Sequence, residues 1–216
     1  MGKPRSAAGR AKLTNERLKV AYPDAICALI HNNPFELLAA TILSAQCTDE
    51  MVNKATPGLF AVYPNAPSMA AASPQEIEPL IQTLGLFRNK AKSLSGMAAA
   101  LMERHNGDVP TSMEELAALP GVGRKTANVV RSVAFDLPGL PVDTHVGRIS
   151  RLLDLTQETD PVKVEHILGA MLPPADWGTF SLRMILHGRA ICVARRPKCS
   201  ACPLVDYCPS AEPTKA

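Results

Sequence analysis

The sequence predicts an all-α protein built from short helices. Helix-start patterns recur along the chain, whereas the alternating pattern of a half-buried strand is nearly absent. Aromatic residues make up only 4% of the 216 residues, which argues against a barrel or sandwich lined with rings. Hydrophobic residues at 46% and charged residues at 20% exclude a disordered chain.

Four helix-start signals support this class, in chain order. Each pairs a capping side chain with a proline or an acidic residue in the first turn. They are Asn33-Pro34-Phe35-Glu36, Ser73-Pro74-Gln75-Glu76, Ser112-Met113-Glu114-Glu115 and Asp160-Pro161. Gly85 and Gly107 stand where we expect helices to end.

The formal net charge is +3, but the charges are unevenly distributed. Residues 1–20 hold six basic side chains against Glu16 alone, and residues 183–205 hold five with no acidic side chain. Between residues 21 and 87 only Lys54 is basic, against six acidic residues. One part of the molecule could therefore face a polyanion, although basic ends that are simply solvated remain an alternative.

No apolar run approaches the roughly 20 residues that a membrane span needs. The basic N-terminus also lacks the apolar stretch of a secretory signal. We therefore expect a soluble, cytoplasmic protein with no membrane partner, which would associate with the nucleoid in a bacterium.

Four cysteines near the C-terminus have metal-binding spacing. Six, two and five residues separate successive members of the set Cys192, Cys199, Cys202 and Cys208. Only the central pair resembles a zinc knuckle, and the longer outer arms favour a [4Fe-4S] cluster, with zinc and unmetallated thiols as alternatives. Disulfides are not expected without an export signal. Cys27 and Cys47 lie in separate apolar stretches and are expected to be small core residues.

The segment between the first two of these cysteines reads Val-Ala-Arg-Arg-Pro-Lys. Its cations Arg195, Arg196 and Lys198 are too closely spaced to be buried together. We expect them to form a phosphate clamp that the metal centre holds in shape, and a solvated loop is the alternative.

A helix, a Gly-x-Gly turn and a second helix are predicted over residues 116–130, which read LAALPGVGRKTANVV. The glycines allow a tight turn, and the backbone amides of Gly121, Val122 and Gly123 lie near the positive end of the second helix. With Arg124 beside them, they predict a site for a DNA phosphate. This pattern is typical of a helix-hairpin-helix motif, and a purely structural turn is the alternative.

Two further residues have positions suited to catalysis. Lys125 lies just inside the second helix, where it could act as an amine nucleophile or only as a cation. Asp143, in Pro141-Val142-Asp143-Thr144-His145, precedes a helical pattern and has the position of an N-cap. Capping alone would explain Asp143, but a carboxylate there could also stabilise positive charge on a sugar or move a proton.

Together these features resemble the endonuclease III family of base-excision DNA repair glycosylases. The resemblance covers roughly Pro34 to Cys208. Besides the hairpin, the Val-Asp-Thr-His-Val stretch and the cysteine spacing, it includes Pro34-Phe35-Glu36-Leu37-Leu38, Leu43-Ser44-Ala45-Gln46 and Ile185-Leu186-His187-Gly188-Arg189.

The resemblance implies a two-lobed helix-hairpin-helix glycosylase fold with damaged double-stranded DNA bound across the cleft. One lobe, residues 27–137, would be a six-helix barrel that contains the hairpin. The other, residues 1–26 and 138–216, would be the iron–sulfur cluster lobe. The two basic segments would then lie in one lobe. We expect the chain to act as a monomer.

The resemblance also implies a bifunctional DNA glycosylase and abasic-site lyase that removes oxidised pyrimidines. Lys125 would be the Schiff-base nucleophile, Asp143 the catalytic carboxylate, and the four cysteines the ligands of the [4Fe-4S] cluster. Gln46 and Leu86 would fill the space left by a flipped nucleotide, and His145 would contact the backbone near the lesion. Cys47 departs from the family pattern beside Gln46.

Two alternatives differ from this function. A mismatch glycosylase is one, but adenine-mismatch relatives generally lack the hairpin lysine and carry an extra C-terminal domain, whereas this chain has Lys125 and ends eight residues after Cys208. A noncatalytic helix-hairpin-helix DNA-binding protein is the other. The basic residues before Leu13 match no motif, and we expect a nonspecific DNA arm or a disordered end there.

Overall fold

A computed structural model of the protein describes residues 4–211. This part of the chain contains no β-strand, which confirms the all-α prediction. Its helices are α1 (Ala7–Ala21), α2 (Pro34–Leu43), α3 (Asp49–Val62), α4 (Ala66–Ala70), α5 (Pro74–Ile81), α6 (Phe87–His105), α7 (Met113–Ala117), α8 (Arg124–Ala134), α9 (Thr144–Leu152), α10 (Pro161–Met171) and α11 (Trp177–Ala190). Single 3-10 turns lie at Pro174–Asp176 and Cys199–Ala201.

The predicted helix starts carry the expected caps. Side-chain oxygens of Asn33, Ser112 and Asp160 accept hydrogen bonds from backbone N–H groups in the first turns of α2, α7 and α10. These bonds satisfy donors that the helix itself leaves unpaired. Glu36 differs from the expectation, because its carboxylate accepts from the backbone N–H of Asn32, at 2.7 Å, rather than from that of Asn33.

The described chain divides into two compact units, and the first is Cys27–Leu137. We call it the hairpin unit. It contains α2 to α8, and α2 is its central element, since nine of its ten residues are buried. Fully buried side chains from α5 and α6, among them Ile77, Leu94 and Met97, complete this core.

The second unit combines the chain up to Ile26 with the chain from Pro138 onward. We call it the cysteine unit. It contains α1 and α9 to α11, and a separate core includes Leu18, Val146, Leu168, Phe180 and Leu204. Both basic segments of the sequence belong to this unit.

Helix α1 is bound to the C-terminal half of the cysteine unit by long-range polar contacts. The buried guanidinium of Arg10 donates to the carbonyl oxygen of Leu153 at 2.8 Å and pairs with Asp154 at 2.7 Å. The Thr14 hydroxyl lies 2.9 Å from the hydroxyl of Tyr207. These contacts fix α1 against segments more than 140 positions away.

The expectation of a DNA arm or a disordered end before Leu13 is wrong for residues 7–12. They form the start of α1, because Ser6 caps that helix and Arg10 is consumed by its pair with Asp154. Lys3, another of the basic residues counted in this segment, lies outside the described residues. No helix within residues 4–211 is long and apolar enough to cross a membrane.

Candidate functional site

The predicted hairpin turn lies between α7 and α8 in the hairpin unit. Gly121 has a φ of +77°, and a Cβ added there would lie 2.6 Å from the Cβ of Ser93. Val122 is buried and anchors the turn in the core. Gly123 is the N-cap of α8 and faces open space, since no atom lies within 4 Å of a Cβ built on it. The turn therefore presents its backbone outward at the positive end of a helix.

Lys125 is the second residue of α8 and is exposed. Its amine makes no hydrogen bond or ion pair with any described residue. Arg124, which opens the helix, is partly exposed. The positions predicted for the hairpin cations are thus those observed, and Lys125 is available to a ligand.

Asp143 is the N-cap of α9, in the cysteine unit. Its Oδ1 accepts a hydrogen bond from the backbone N–H of Val146 at 2.8 Å. Its Oδ2 carries no hydrogen bond from the described residues. One carboxylate oxygen therefore holds the helix start, while the other is free for chemistry.

His145 lies on the first turn of α9, directly against α11. A Cβ on Gly188 would approach the His145 ring to 2.6 Å at Nδ1, so only glycine fits beside this ring. The Arg148 guanidinium lies 3.4 Å from the same Nδ1. A guanidinium can only donate, so Nδ1 accepts and Nε2 of a neutral imidazole carries the proton.

Gln46 and Leu86 share an uncommon backbone conformation in the hairpin unit. Their φ angles are +55° and +59°, in the left-handed region that residues with a side chain rarely adopt. Both are exposed, and Leu86 keeps 56% of its surface in solvent despite being apolar. Strained, exposed residues of this kind concentrate at functional sites.

Cys47 makes a contact that the sequence did not predict. The Lys90 ammonium donates a hydrogen bond to its Sγ at 3.0 Å. Lys90 is only 4% exposed, and Cys47 is the only hydrogen-bond partner of its ammonium among the described residues. The predicted packing of Cys47 and Cys27 against the core is observed, because both are partly buried there.

The four C-terminal cysteines line one cavity of about 230 Å³ in the cysteine unit. Within residues 4–211 no three His, Cys, Asp or Glu side chains are grouped as ligands of a single ion. The thiols instead surround a volume, which is the arrangement that a cluster needs because its irons lie apart. The donor set and the cavity therefore fit an iron–sulfur cluster.

Burial controls the protonation of these thiols before a metal binds. It raises the pKa of Cys202 to about 11, and the neighbouring cysteines raise it further. It also raises the pKa of Cys208. Because a ligating cysteine must be a thiolate, cluster binding has to displace these protons.

The cationic loop between Cys192 and Cys199 contributes to the wall of the same cavity. Arg195, Arg196 and Lys198 are exposed, and their side chains make no ion pair with any described residue. A hydrogen bond from the Lys198 backbone N–H to the Ile191 carbonyl oxygen, at 2.9 Å, closes the loop. Three unpaired cations are thus held on a closed loop.

Sequence reasoning missed a buried contact behind Cys202. His187, which is 1% exposed, places Nε2 at 3.5 Å from the Cys202 Sγ and Nδ1 at 3.1 Å from the Tyr22 hydroxyl. Burial, with the charge of Arg148, lowers the pKa of His187 to about 4, so the imidazole is neutral near pH 7. His187 lies in a stretch that the resemblance included, but no pattern connects it to Tyr22.

The fold and these sites define a class of DNA repair enzyme. Residues 39–174 match the model of the HhH-GPD superfamily of base excision DNA repair proteins. Residues 192–208 match the iron–sulfur binding domain of endonuclease III, which confirms the [4Fe-4S] cofactor over the zinc alternative. The chain belongs to the endonuclease III family, whose members are DNA glycosylases with abasic-site lyase activity.

Individual relatives agree with this assignment. The chain is 54% identical to endonuclease III of Synechocystis sp. over 90% of each chain. It is 45% identical to endonuclease III of Bacillus subtilis, over 87% of this chain and 86% of the relative. A solved structure of a trapped endonuclease III–DNA covalent intermediate superimposes with a TM-score of 0.90 at 43% identity, covering 94% of this chain and 96% of that one. The enzyme class removes the alternative of a noncatalytic DNA-binding protein.

We predict that Gly121→Ala destabilises the protein by about 1–3 kcal/mol, because the added methyl overlaps Ser93 and the backbone φ is positive. Urea unfolding followed by circular dichroism measures this change. Gly123→Ala is the matched control, since its methyl meets open space, and it should unfold close to the wild type. Equal unfolding free energies for both variants would contradict the close approach at Gly121.

We predict that Cys47→Ala costs about 1–3 kcal/mol of unfolding free energy, because the buried Lys90 ammonium loses its acceptor. Cys47→Ser retains an acceptor atom and should recover part of the loss. The double variant Cys47→Ala, Lys90→Met removes both partners and should be more stable than Cys47→Ala alone. If Cys47→Ala unfolds as the wild type does, the contact does not stabilise the hairpin unit.

Proposed function

We propose that this enzyme removes oxidised pyrimidines from duplex DNA through a Schiff base on Lys125 and then cleaves the strand 3′ to the abasic site. The observation that carries this proposal is the exposed, unpaired amine of Lys125 in the first turn of α8. It follows directly on a hairpin turn that presents backbone amides to solvent. A phosphate bound at those amides would bring the adjoining sugar toward the amine.

The chemistry follows from an amine and a sugar. The Lys125 nitrogen forms a bond to the anomeric carbon, while the bond to the base breaks and the base leaves with the electron pair and takes up a proton. The ring opens, and loss of a proton from nitrogen leaves an iminium ion. The iminium withdraws electrons, so the neighbouring carbon loses a proton and the bond to the 3′ phosphate oxygen breaks.

Asp143 supplies the carboxylate for this sequence. Its free Oδ2 would stabilise the positive charge that gathers on the sugar and carry protons from the attacking amine. The capping bond from Val146 to Oδ1 holds the carboxylate in orientation. The structural and catalytic roles of Asp143 therefore use different oxygen atoms and do not compete.

Gln46 and Leu86 fit the role of residues that fill the duplex after a nucleotide is flipped out. Flipping costs a few kcal/mol, which an inserted amide and an inserted apolar side chain would offset. The left-handed backbone at both positions supports this role, since it holds each side chain exposed at considerable conformational cost.

The phosphate contacts are assigned to two groups of residues. The backbone of Gly121, Val122 and Gly123 with Arg124 forms one, and Arg195, Arg196 and Lys198 form the other. His145, with its proton on Nε2, would donate to the DNA backbone near the lesion. We further infer that the enzyme acts as a monomer on damaged double-stranded DNA.

The cluster ligands are assigned to Cys192, Cys199, Cys202 and Cys208. When bound, the [4Fe-4S] cluster links the four thiolates and so stabilises the fold of their segment. No catalytic step requires it. In this assignment the cysteine unit is the cluster lobe, and the hairpin unit is the lobe that carries Lys125.

The test of the proposed function is covalent trapping. Borohydride should reduce the iminium and leave a stable complex of the protein with DNA containing an oxidised pyrimidine. Lys125→Gln should abolish both trapping and strand cleavage while DNA binding survives, because Arg124 and the turn amides remain. Wild-type trapping by Lys125→Gln would mean that another amine is the nucleophile.

Asp143→Asn separates the two roles of that residue. Asparagine caps helices about as well as aspartate, so unfolding should be unchanged. Cleavage should fall by a factor of about 100 or more, because the amide cannot stabilise a cation or transfer protons. Single-turnover cleavage measures the effect. A variant that cleaves at the wild-type rate would leave Asp143 only the capping role.

Salt dependence tests the cationic loop. The double variant Arg195→Ala, Arg196→Ala should lower the slope of log affinity against log salt by about 1.8, since each lost phosphate contact contributes about 0.9. Lys54→Ala, Arg104→Ala removes the same charge from side chains already paired with Glu50 and Glu103. That control should leave the slope unchanged. An unchanged slope in the loop variant would show that the loop is merely solvated.

A further inference from the structure

The buried imidazole of His187 connects two polar groups of the cysteine unit that are 180 positions apart in sequence. On one side Nε2 lies 3.5 Å from the Cys202 Sγ, and on the other Nδ1 lies 3.1 Å from the Tyr22 hydroxyl. The Tyr22 and His187 rings meet edge to face, at 6.0 Å between centroids and an interplanar angle of 73°. The imidazole is therefore held in one orientation.

The chemistry of a ligating cysteine decides where the protons lie. A thiolate is only an acceptor, so if Cys202 ligates the cluster, the hydrogen between it and His187 must belong to Nε2. The Nδ1 of a neutral imidazole then carries a lone pair. The Tyr22 hydroxyl must in turn donate its hydrogen to Nδ1.

We propose that Tyr22 and His187 form a hydrogen-bond relay that donates to the Cys202 thiolate and raises the reduction potential of the bound cluster. This inference rests on the proposed ligand set. A hydrogen bond to a ligating sulfur withdraws electron density from it and stabilises the more reduced cluster. His187 is thus a positioning residue for the cofactor and takes no part in base removal.

The four thiols are not equivalent in this respect. Cys202 also accepts from the backbone N–H of Leu204 at 3.4 Å, and Cys192 lies 3.6 Å from the Arg148 guanidinium. Cys208 faces the carbonyl oxygen of Leu152 at 3.7 Å, which cannot donate. Donors therefore favour Cys202, and the relay supplies the one side-chain donor there among the described residues.

The relay also connects the cluster to α1. Tyr22 is the residue that ends this helix, and its backbone N–H donates to the Leu18 carbonyl oxygen at 2.8 Å. Docking of α1 against the C-terminal half therefore sets the position of the tyrosine hydroxyl. The environment of Cys202 then depends on the first helix of the chain.

Three variants of the iron-loaded enzyme test the relay. Tyr22→Phe removes the outer donor, His187→Leu removes the inner one, and His187→Gln offers an amide N–H in its place. Protein-film voltammetry and the Fe–S stretching bands in resonance Raman spectra are the readouts. Tyr63→Phe, a tyrosine of the hairpin unit, is the matched control.

Both Tyr22→Phe and His187→Leu should lower the reduction potential and shift the Fe–S bands, with the larger effect in His187→Leu. His187→Gln should restore part of the wild-type potential, and Tyr63→Phe should match the wild type. Nitrogen-15 spectra of the loaded wild-type protein should show the proton on Nε2 of His187.

Loaded Tyr22→Phe and His187→Leu proteins with the wild-type potential and Raman bands would overturn the relay, as would a proton on Nδ1. If His187→Leu fails to fold, Tyr22→Phe and the nitrogen-15 spectrum still decide. Iron content separates the two proposals. Loss of iron binding in Cys202→Ser supports the ligand set whatever the relay does, whereas full iron content in that variant would contradict the ligand set.

Discussion

The cysteine segment has little regular structure of its own, and its fold depends on contacts made from outside it. Between Cys192 and Cys208 there is a single 3-10 turn. Helix α1 holds this segment from one side through Thr14 and Arg17, which contact Tyr207 and Asp206, about 190 positions away. The thiols line a cavity at its centre. Chain ends and cofactor together therefore stabilise a segment that could not fold alone.

This dependence connects the cofactor with DNA binding without giving the cluster a catalytic step. The proposed phosphate contacts stand on the loop that joins two of the proposed ligands. Buried thiols with raised pKa values repel one another as anions, so a metal centre must compensate for their charge. The shape of the cationic loop follows from that compensation, whereas Lys125 lies on α8 in a unit with its own core.

In the hairpin unit, conformational cost is concentrated where the proposed duplex-filling residues lie. A left-handed residue costs roughly 1–2 kcal/mol unless it is glycine. Gln46 and Leu86 both carry this cost, and one buried contact supports both. Cys47 follows Gln46, while Lys90 donates its backbone N–H to the Leu86 carbonyl oxygen and its ammonium to Cys47. The two strained loops are thus fastened to each other at a single point.

The sequence by itself determined the all-α class, the helix starts at Asn33, Ser112 and Asp160, the cofactor and the enzyme family. These follow from local spacing and from motifs, which a chain displays without folding. Only the tertiary structure decided the burial of Arg10, the contact of Lys90 with Cys47 and the relay from Tyr22 to Cys202. Each of these joins residues far apart in sequence, and no local pattern encodes which buried polar group will meet which partner.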